Sequence, residues 1–203
     1  WRLQELYRVG DGDEGLGSFN NIRDFQLDAR NQLWVLDFQT RSLRLFGADG
    51  TPIKELARRG QGPGEIANAN GFRPAPDGRM VMRDHSNARF NVYAADGTPL
   101  PSVTAMSYGY GYLWDAAFDR QGRLVELATV RRGEQYERAL LRWSADFARA
   151  DTMNLPATAC SPLPPPRNGI RGRQGFAGYP FEPRIIWTID ADGAFWCANT
   201  DEY

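Results

Sequence analysis

The sequence is poor in the residue types that most catalytic and metal sites depend on. Among its 203 residues it has one histidine, His85, one lysine, Lys54, and two cysteines, Cys160 and Cys197. Two thiols and one imidazole are too few for a zinc site, and their positions fit no CxxC or other metal-ligand spacing. The sequence contains no CxxCH, GxSxG or GxxxxGK motif. We therefore predict no catalytic site, no cofactor and no metal within this chain.

Long apolar runs and an excess of charge are also missing. No stretch of eighteen apolar residues is present that could form a membrane-spanning helix. The formal net charge is -1, from 24 basic and 25 acidic residues, so the chain has no general attraction to nucleic acid or anionic lipid. We expect neither a direct membrane span nor a nucleic-acid partner.

An internal repeat dominates what is present. The segment 28–56 aligns with the segment 75–100 at a constant offset of 47 residues. The offset pairs Leu33 with Met80, Asp37 with Asp84, Phe46 with Tyr93, and the turn 49–52 with the turn 96–99. A third copy begins at Asp119 and a fourth at Asp190. Such a period is typical of propellers and other repeat architectures.

Each copy has the pattern of β-strands. Short apolar runs follow polar turns, and the next runs alternate apolar with polar residues, the period of a half-buried strand. We predict strands at Leu33–Asp37, Ser42–Phe46, Met80–Arg83, Arg89–Tyr93, Arg123–Leu127 and Ala139–Trp143, with an outer strand at Leu3–Val9 and an inner one at Phe195–Ala198. Because a repeat of this length with about four strands corresponds to a propeller blade, the predicted fold is an all-β propeller.

The linker between the first two copies is Gly60-Gln-Gly-Pro-Gly-Glu65, and it is followed by a strand, an Asp and an Arg-containing strand. This pattern resembles the NHL-type six-bladed propellers of exported bacterial proteins. The resemblance implies six blades, of which about four are represented here, in a single propeller domain over 1–203 with an incomplete ring. At roughly 45 residues a blade, six blades would need about 270 residues. It also implies a periplasmic or extracellular location. Since the first residue is Trp1, we expect that an N-terminal segment has been removed or left out.

A Pro- and Gly-rich insertion at 156–184 interrupts the repeat. Copies three and four are 71 residues apart, and the stretch from Thr152 to Phe181 contains no acid. Arginine and aromatic residues are enriched at protein interfaces. We therefore predict that Arg171, Arg173, Phe176, Tyr179 and Phe181 contact a partner protein, with a surface loop lacking any partner as the alternative.

The cysteines have two possible roles. In an exported protein, Cys160 and Cys197 could form a disulfide that ties the insertion to the fourth copy. Alternatively, Cys197 packs as a small apolar residue on its strand.

Three further features have a functional and a structural interpretation. His85 could be a general base, but a polar residue in the loop after its strand is the simpler interpretation. Asp37 and Asp84 could converge on a ligand, or could pair with Arg41, Arg44 and Arg89 to tie strand ends together. The run Tyr108, Tyr110, Tyr112 and Trp114 could stack on sugars or belong to the core.

The favoured function is that of a non-catalytic, exported propeller that binds another protein as a scaffold or accessory subunit. A specific version is a subunit on the outer, periplasmic face of a membrane electron-transfer complex. The alternatives are a hydrolase or lyase whose catalytic residues lie partly outside this chain, and a carbohydrate-binding propeller.

Overall fold

The structure, a computed structural model, describes residues 2–10, 12, 15–105, 114–132, 135–153, 185–190 and 193–199. These residues form fourteen β-strands and one short 3-10 turn, Gly15–Gly17. Within these ranges no helix has the length and apolarity that crossing a membrane requires. The strands belong to two compact units, the first with sheets 1 and 2 and the second with sheets 3 and 4.

Sheet 1 is a four-stranded antiparallel meander. Its strands, paired in chain order, are β1 (Ile22–Leu27), β2 (Leu33–Asp37), β3 (Ser42–Phe46) and β4 (Pro52–Ala57). The two middle strands are mostly buried, which explains their apolar sequences, whereas β1 and β4 are largely exposed or half-buried. The turn between β3 and β4 requires Gly50, whose φ of 82° lies in the left-handed region that glycine favours.

Sheet 2 repeats sheet 1 strand for strand. Its strands are β5 (Ala69–Pro74), β6 (Met80–Asp84), β7 (Arg89–Tyr93) and β8 (Pro99–Thr104). Each begins and ends 47 residues after its counterpart in sheet 1. The turn glycine recurs as well, since Gly97 has a φ of 81°. The repeat predicted from the sequence is thus a repeat of backbone structure.

An apolar core lies between the two sheets of the first unit. One face of sheet 1 and one face of sheet 2 contribute to it, chiefly through Trp34, Leu36, Leu43 and Leu45 on the first and Phe72, Met80, Met82 and Tyr93 on the second. All of these side chains are at most 2% exposed. Burial of this much apolar surface is the main term that holds the two sheets together.

The second unit contains sheets 3 and 4. Sheet 3 consists of β9 (Ala116–Phe118), β10 (Leu124–Arg132), β11 (Gln135–Trp143) and β12 (Ala150–Thr152), and sheet 4 of β13 (Ile185–Ile189) and β14 (Phe195–Asn199). Their core joins Val125 and Leu140 to Trp187, whose ring stacks on Phe195 with centroids 5.6 Å apart.

Sheet 3 departs from the repeat in its middle strands. β9 pairs only with Leu124–Glu126, and β12 only with Leu141–Trp143. The remaining residues, 127–132 of β10 and 135–140 of β11, pair with each other and, among the described residues, with no further strand. We call these twelve residues the hairpin arm.

Two strand predictions need correction. Leu3–Val9 is not a strand, because nothing among the described residues pairs with its backbone, and Leu3 and Leu6 are exposed. The third copy was predicted with strands at Arg123–Leu127 and Ala139–Trp143, but β10 runs to Arg132 and β11 begins at Gln135. Local pattern did not reveal the arm, since its ladder depends on cross-strand pairing.

Candidate functional site

The carboxylates of Asp37 and Asp84 end equivalent strands and are fully buried. Asp37 accepts hydrogen bonds from the backbone N–H of Asn20 at 2.8 Å and of Asn21 at 3.3 Å. Asp84 does the same 47 residues later, from Ala67 at 3.1 Å and Asn68 at 2.9 Å. Each carboxylate therefore holds the linker that enters its own sheet.

The electrostatics of Asp37 follow from these contacts. Burial by itself would raise its pKa, but backbone N–H groups of Asn20, Thr40, Gln39 and Asn21 together lower it below the ordinary 3.8. Hydrogen bonds to the charged form stabilise that form. The carboxylate is thus held ionised, with its lone pairs used by the backbone.

Arg44 and Arg89 hold the same linkers through carbonyl oxygens. Arg44 donates to the carbonyls of Leu16, at 3.1 Å, and Ser18. Arg89 donates to three carbonyls of the second linker, those of Gln61, Gly62 and Glu65, at 3.0, 2.7 and 2.9 Å.

The predicted Asp–Arg pairing is present in the second copy and, among the described contacts, absent from the first. Arg89 Nε lies 4.0 Å from Asp84 Oδ2, at the limit of an ion pair. Among the described contacts of Asp37 none is to an arginine, because backbone N–H groups occupy its oxygens. Both acids and both arginines bind the linkers, and Asp84 and Arg89 also lie within ion-pair distance of each other, so all four have a structural role.

The glycine-rich linker 60–65 closes on itself. Glu65 Oε2 accepts the N–H of Gly62 at 2.9 Å, and this bond, with the nearby Arg58, lowers the Glu65 pKa. Gly60 N also donates to Ile66 O at 2.9 Å, and Ile66 N donates to Arg58 O at 2.8 Å. These bonds indicate a structural role for the linker.

His85 is half-buried in the loop after β6, and its backbone N–H donates to Asn68 O at 2.9 Å. Burial and, to a smaller extent, the nearby Arg83 lower the pKa of its imidazole from 6.5 to about 4, against the opposing effect of Asp84. A general base works best when its pKa lies near the operating pH. A neutral imidazole with so low a pKa is a poor candidate for that role.

A polar cluster on the first strands was not anticipated from the sequence. Arg73 Nη1 on β5 donates to Asp24 Oδ2 on β1 at 2.6 Å, and Arg73 Nη2 donates to Trp114 O at 2.7 Å. Gln26 Nε2 completes the cluster at 3.1 Å from Asp24 Oδ1. The signal was hidden because Asp24 and Arg73 are 49 residues apart, outside the register of 47.

Other predicted sites fall partly outside the described residues. Tyr108, Tyr110 and Tyr112 lie outside them, whereas Trp114 is 4% exposed with its ring centroid 5.9 Å from that of Phe90. Trp114 is thus a core residue. Within the part of the chain that the structure describes, no group of three His, Cys, Asp or Glu side chains is placed to hold a metal.

The predicted partner-binding residues also lie outside the described residues, namely Arg171, Arg173, Phe176, Tyr179 and Phe181. Cys197 is disulfide-bonded. Cys160, the other cysteine of the sequence, is outside the described residues, so the pairing stays a prediction.

Two shallow cavities lie in the first unit at equivalent positions. One, of about 220 Å³, lies between Glu55–Arg58 of the outer edge, the linker 63–65 and Pro99. The other, of about 290 Å³, lies among residues 8–10, Gly17, Phe46 and the turn 49–52. Most residues that line one cavity have a counterpart 47 residues away in the lining of the other. In this comparison residues 8–10 correspond to residues 55–57 at the end of β4.

No protein-family model and no curated protein match this chain. Solved structures do match it. A Bacteroides fragilis protein classed as exported has a TM-score of 0.57 at 16% identity, over 73% of this chain and 40% of that one. Virginiamycin B lyase from Staphylococcus aureus has a TM-score of 0.52 at 13% identity, over 95% of this chain and 51% of that one.

A streptogramin B lyase has a TM-score of 0.51 at 10% identity, over 87% of this chain and 54% of that one. The chain therefore spans between 40% and 54% of the length of these proteins. Identities this low show a shared fold and leave the NHL-like assignment a prediction of the sequence. Together with the repeated four-stranded antiparallel sheets, the likeness shows that this chain has a β-propeller fold.

Proposed function

We propose that this protein is an exported, non-catalytic β-propeller that binds another protein as a scaffold or accessory subunit. In a narrower form, the partner is a membrane electron-transfer complex and the propeller is on its outer, periplasmic face. The observation that carries the proposal is the hairpin arm of sheet 3, which extends beyond both neighbouring strands.

The arm offers backbone groups that a partner can bind. Its six ladder pairs run from Leu127↔Leu140 to Arg132↔Gln135, and in the described structure no third strand pairs with either edge. At the base of the arm the Leu140 carbonyl already accepts Met153 N at 2.8 Å. Unpaired N–H and C=O groups at a strand edge favour addition of a strand from another chain. In sheets 1 and 2 the middle strands are five residues long, so the arm is an addition to the repeat.

The insertion 156–184 supplies a second contact in this proposal. Its arginines Arg171 and Arg173 and its aromatics Phe176, Tyr179 and Phe181 are residue types enriched at interfaces. Positive charge without neighbouring acids would attract an acidic partner surface, and that attraction weakens with salt. The loop thus adds charge recognition to the strand pairing that the arm provides.

One solved structure with a similar fold supports the proposal that this protein is exported. The Bacteroides fragilis protein that shares the fold is classed as exported. A disulfide at Cys197 also fits an oxidising compartment, because cytosolic thiols are kept reduced. We therefore place the protein in the periplasm or outside the cell.

The recurrent acids and the histidine argue for binding rather than catalysis. Asp37 and Asp84 use their oxygens on linker N–H groups, and His85 has a pKa of about 4. The two carboxylates cannot also bind a substrate without loss of their linker contacts, and an imidazole with so low a pKa is a weak base at neutral pH. The alternatives, a lyase or hydrolase and a carbohydrate binder, would need residues other than these.

The test removes the arm and leaves the repeat intact. Residues Thr129–Arg138 are replaced by Asn-Gly, so that sheet 3 retains two five-residue strands, Leu124–Ala128 and Ala139–Trp143. Asn-Gly suits a two-residue hairpin turn. The matched control replaces only Gly133-Glu134 by Asn-Gly, which introduces the same turn and keeps the arm.

Each variant is expressed at native level, purified with its bound proteins and quantified by mass spectrometry against the wild type. We expect a stoichiometric partner to be lost from the shortened variant and kept by the control. Equal recovery of that partner by all three proteins would overturn the role of the arm.

A separate variant tests the loop. Arg171→Ala with Arg173→Ala should leave the thermal unfolding unchanged and weaken association, more strongly as salt is raised. If this variant recovers the same partner as the wild type at moderate salt, the arginines are not part of the contact.

A further inference from the structure

The backbone groups of the hairpin arm alternate between its inner ladder and its outer edges. In an antiparallel pair, two residues directly opposite each other either exchange both hydrogen bonds or turn their N–H and C=O groups away from each other. The Leu140 carbonyl accepts Met153 N at 2.8 Å, so Leu140 and its opposite residue Leu127 belong to the outward-facing class. Alternation along the ladder adds two further outward-facing pairs, Thr129↔Arg138 and Arg131↔Tyr136.

The two outer edges differ at the base of the arm. On the β11 side, Met153, the residue after β12, is bonded to Leu140 O. On the β10 side, the ladder of β9 stops at Ala116. The preceding Trp114 is outside any strand and donates its N–H to Asn70 O at 3.2 Å. The chain that leads into β9 is thus bonded to sheet 2, and in the described structure it does not extend the ladder along β10.

We propose that the partner protein contributes an extended segment that adds to the β10 edge of the arm as a further strand. The segment bonds to the outward-facing N–H and C=O groups of Thr129 and Arg131, so that recognition is mainly through the backbone. This inference rests on the proposed function, in which the arm is the contact, and it adds the edge and the chemistry of the bound segment.

The outer strands of sheets 1 and 2 are less suited to such pairing. β4 begins with Pro52 and contains Lys54, and β8 contains Pro99 and Pro101. Proline and lysine on an edge strand discourage the addition of another strand. Residues 127–132 of the arm contain neither residue type. The backbone of β10 in the arm is therefore the better template for a strand from another chain.

Charge selects the type of segment. Residues 127–132 include Arg131 and Arg132 and no acid, whereas residues 135–140 include both Glu137 and an arginine. Opposite charges on adjacent strands attract, and like charges directly opposite each other repel. The positive half of the arm therefore favours a segment with acidic residues, and the same repulsion disfavours the pairing of two arms from two copies of this chain.

Proline substitutions on the two edges test this inference within a single rung of the ladder. Thr129→Pro removes an outward N–H from the β10 edge and keeps the bonds between β10 and β11. Arg138→Pro is the matched control, because Arg138 is directly opposite Thr129 and its N–H faces the other edge. Thr129→Val is a second control, which changes the side chain and keeps the N–H.

Affinity is measured by titration calorimetry with the purified partner that the wild type recovers in the co-purification above. Thr129→Pro should weaken binding by roughly tenfold or more, because the bound strand loses a backbone donor and meets the proline ring. Arg138→Pro and Thr129→Val should bind like the wild type. Arg131→Gln should weaken binding by roughly two- to fivefold, with a smaller effect at high salt.

Amide hydrogen exchange resolved by NMR gives an independent readout. In the free protein the amides of Thr129 and Arg131 should exchange faster than those of Ala128 and Val130, whose N–H groups face the ladder. Saturation with the partner should slow exchange at Thr129 and Arg131 and leave Arg138 fast.

Four results would overturn the inference, and they separate it from the proposed function. Slow exchange at Thr129 in the free protein would show that another part of the chain covers this edge. Unchanged affinity of Thr129→Pro would place the partner elsewhere, and equal losses from both prolines would show that the contact needs an intact arm rather than its β10 edge. These three results leave the proposed partner binding in place, whereas a wild type that recovers no stoichiometric partner would overturn both.

Discussion

Arg73 Nη1 donates to Asp24 Oδ2 at 2.6 Å and links the first strands of two successive sheets. The two side chains are only 23% and 14% exposed, and the same carboxylate oxygen accepts the N–H of Phe72 at 3.0 Å. The pair lies where β1 and β5 approach each other. It therefore supplements the apolar core with a directional contact.

The first prediction concerns this pair. Asp24→Asn should lower the free energy of unfolding by about 1–3 kcal/mol, because a half-buried guanidinium loses its ionic partner. Urea unfolding followed by tryptophan fluorescence measures the change. The control is Glu5→Gln, which removes the exposed ion pair with Arg8 and should have a smaller effect. Equal losses would show that the Asp24 pair contributes no more than a surface ion pair.

The second prediction concerns the linker contacts. Asp84→Ala should lower the free energy of unfolding by about 2–4 kcal/mol, since it leaves the part-buried N–H groups of Ala67 and Asn68 without their acceptor. Asp146→Ala, which removes an exposed turn carboxylate bonded to Ala148 N, is the control and should cost much less. A similar midpoint of urea unfolding for both variants would contradict the structural role of Asp84.

The third prediction is a pH dependence from Asp37. Its pKa is lowered in the folded protein, so the unfolded chain takes up its proton first as the solution is acidified. The stabilisation by this carboxylate is complete above the ordinary pKa of 3.8 and is lost as the pH falls below it. The stability difference between wild type and Asp37→Asn should therefore shrink below that pH. A difference that stays constant down to the acid transition would show that Asp37 has an ordinary pKa.

The fourth prediction concerns His85, the only histidine of the chain. Its pKa is lowered from 6.5 to about 4, so between these values the unfolded chain binds a proton that the folded protein does not. Stability should thus fall as the pH drops from about 6.5 to about 4, and His85→Gln should remove that part of the dependence. The single imidazole resonance in proton NMR gives the pKa directly, and a midpoint near 6.5 would refute the prediction.

The fifth prediction concerns the disulfide of Cys197. If its partner is Cys160, the closed loop of about 36 residues should stabilise the fold by roughly 3–4 kcal/mol in the chain-entropy model. Non-reducing peptide mapping should recover a linked peptide with both cysteines, and reduction should lower the thermal midpoint. The variant with Cys160→Ser and Cys197→Ser controls for the reductant, which should not affect it. Alkylation of both thiols without reductant would exclude the bridge.

The middle strands of sheets 1 and 2 could be predicted from sequence because their signal is local. Both faces of Leu33–Asp37 and Ser42–Phe46 are buried, so short apolar runs between polar turns mark them. The offset of 47 residues then predicts the strand boundaries of sheet 2 from those of sheet 1, and all four strands of sheet 2 have this offset. Composition, turn chemistry and the repeat were therefore sufficient to determine an all-β propeller fold.

Pairing across the chain decided the rest. A strand forms only where another backbone segment pairs with it, and this decides both that Leu3–Val9 is not a strand and that β10 extends to Arg132. The alternation of apolar and polar residues does not predict which segments pair. The roles of Asp37 and Arg44 depend on which atoms of the linker lie within hydrogen-bond distance. Asp37 accepts from the backbone N–H of Asn20, whereas Arg44 donates to the carbonyl of Leu16. Phe25 and Phe72 occupy equivalent positions of the repeat, yet Phe25 is exposed and Phe72 is buried. Phe72 is buried because sheet 1 packs on it, whereas no sheet among the described residues packs on Phe25.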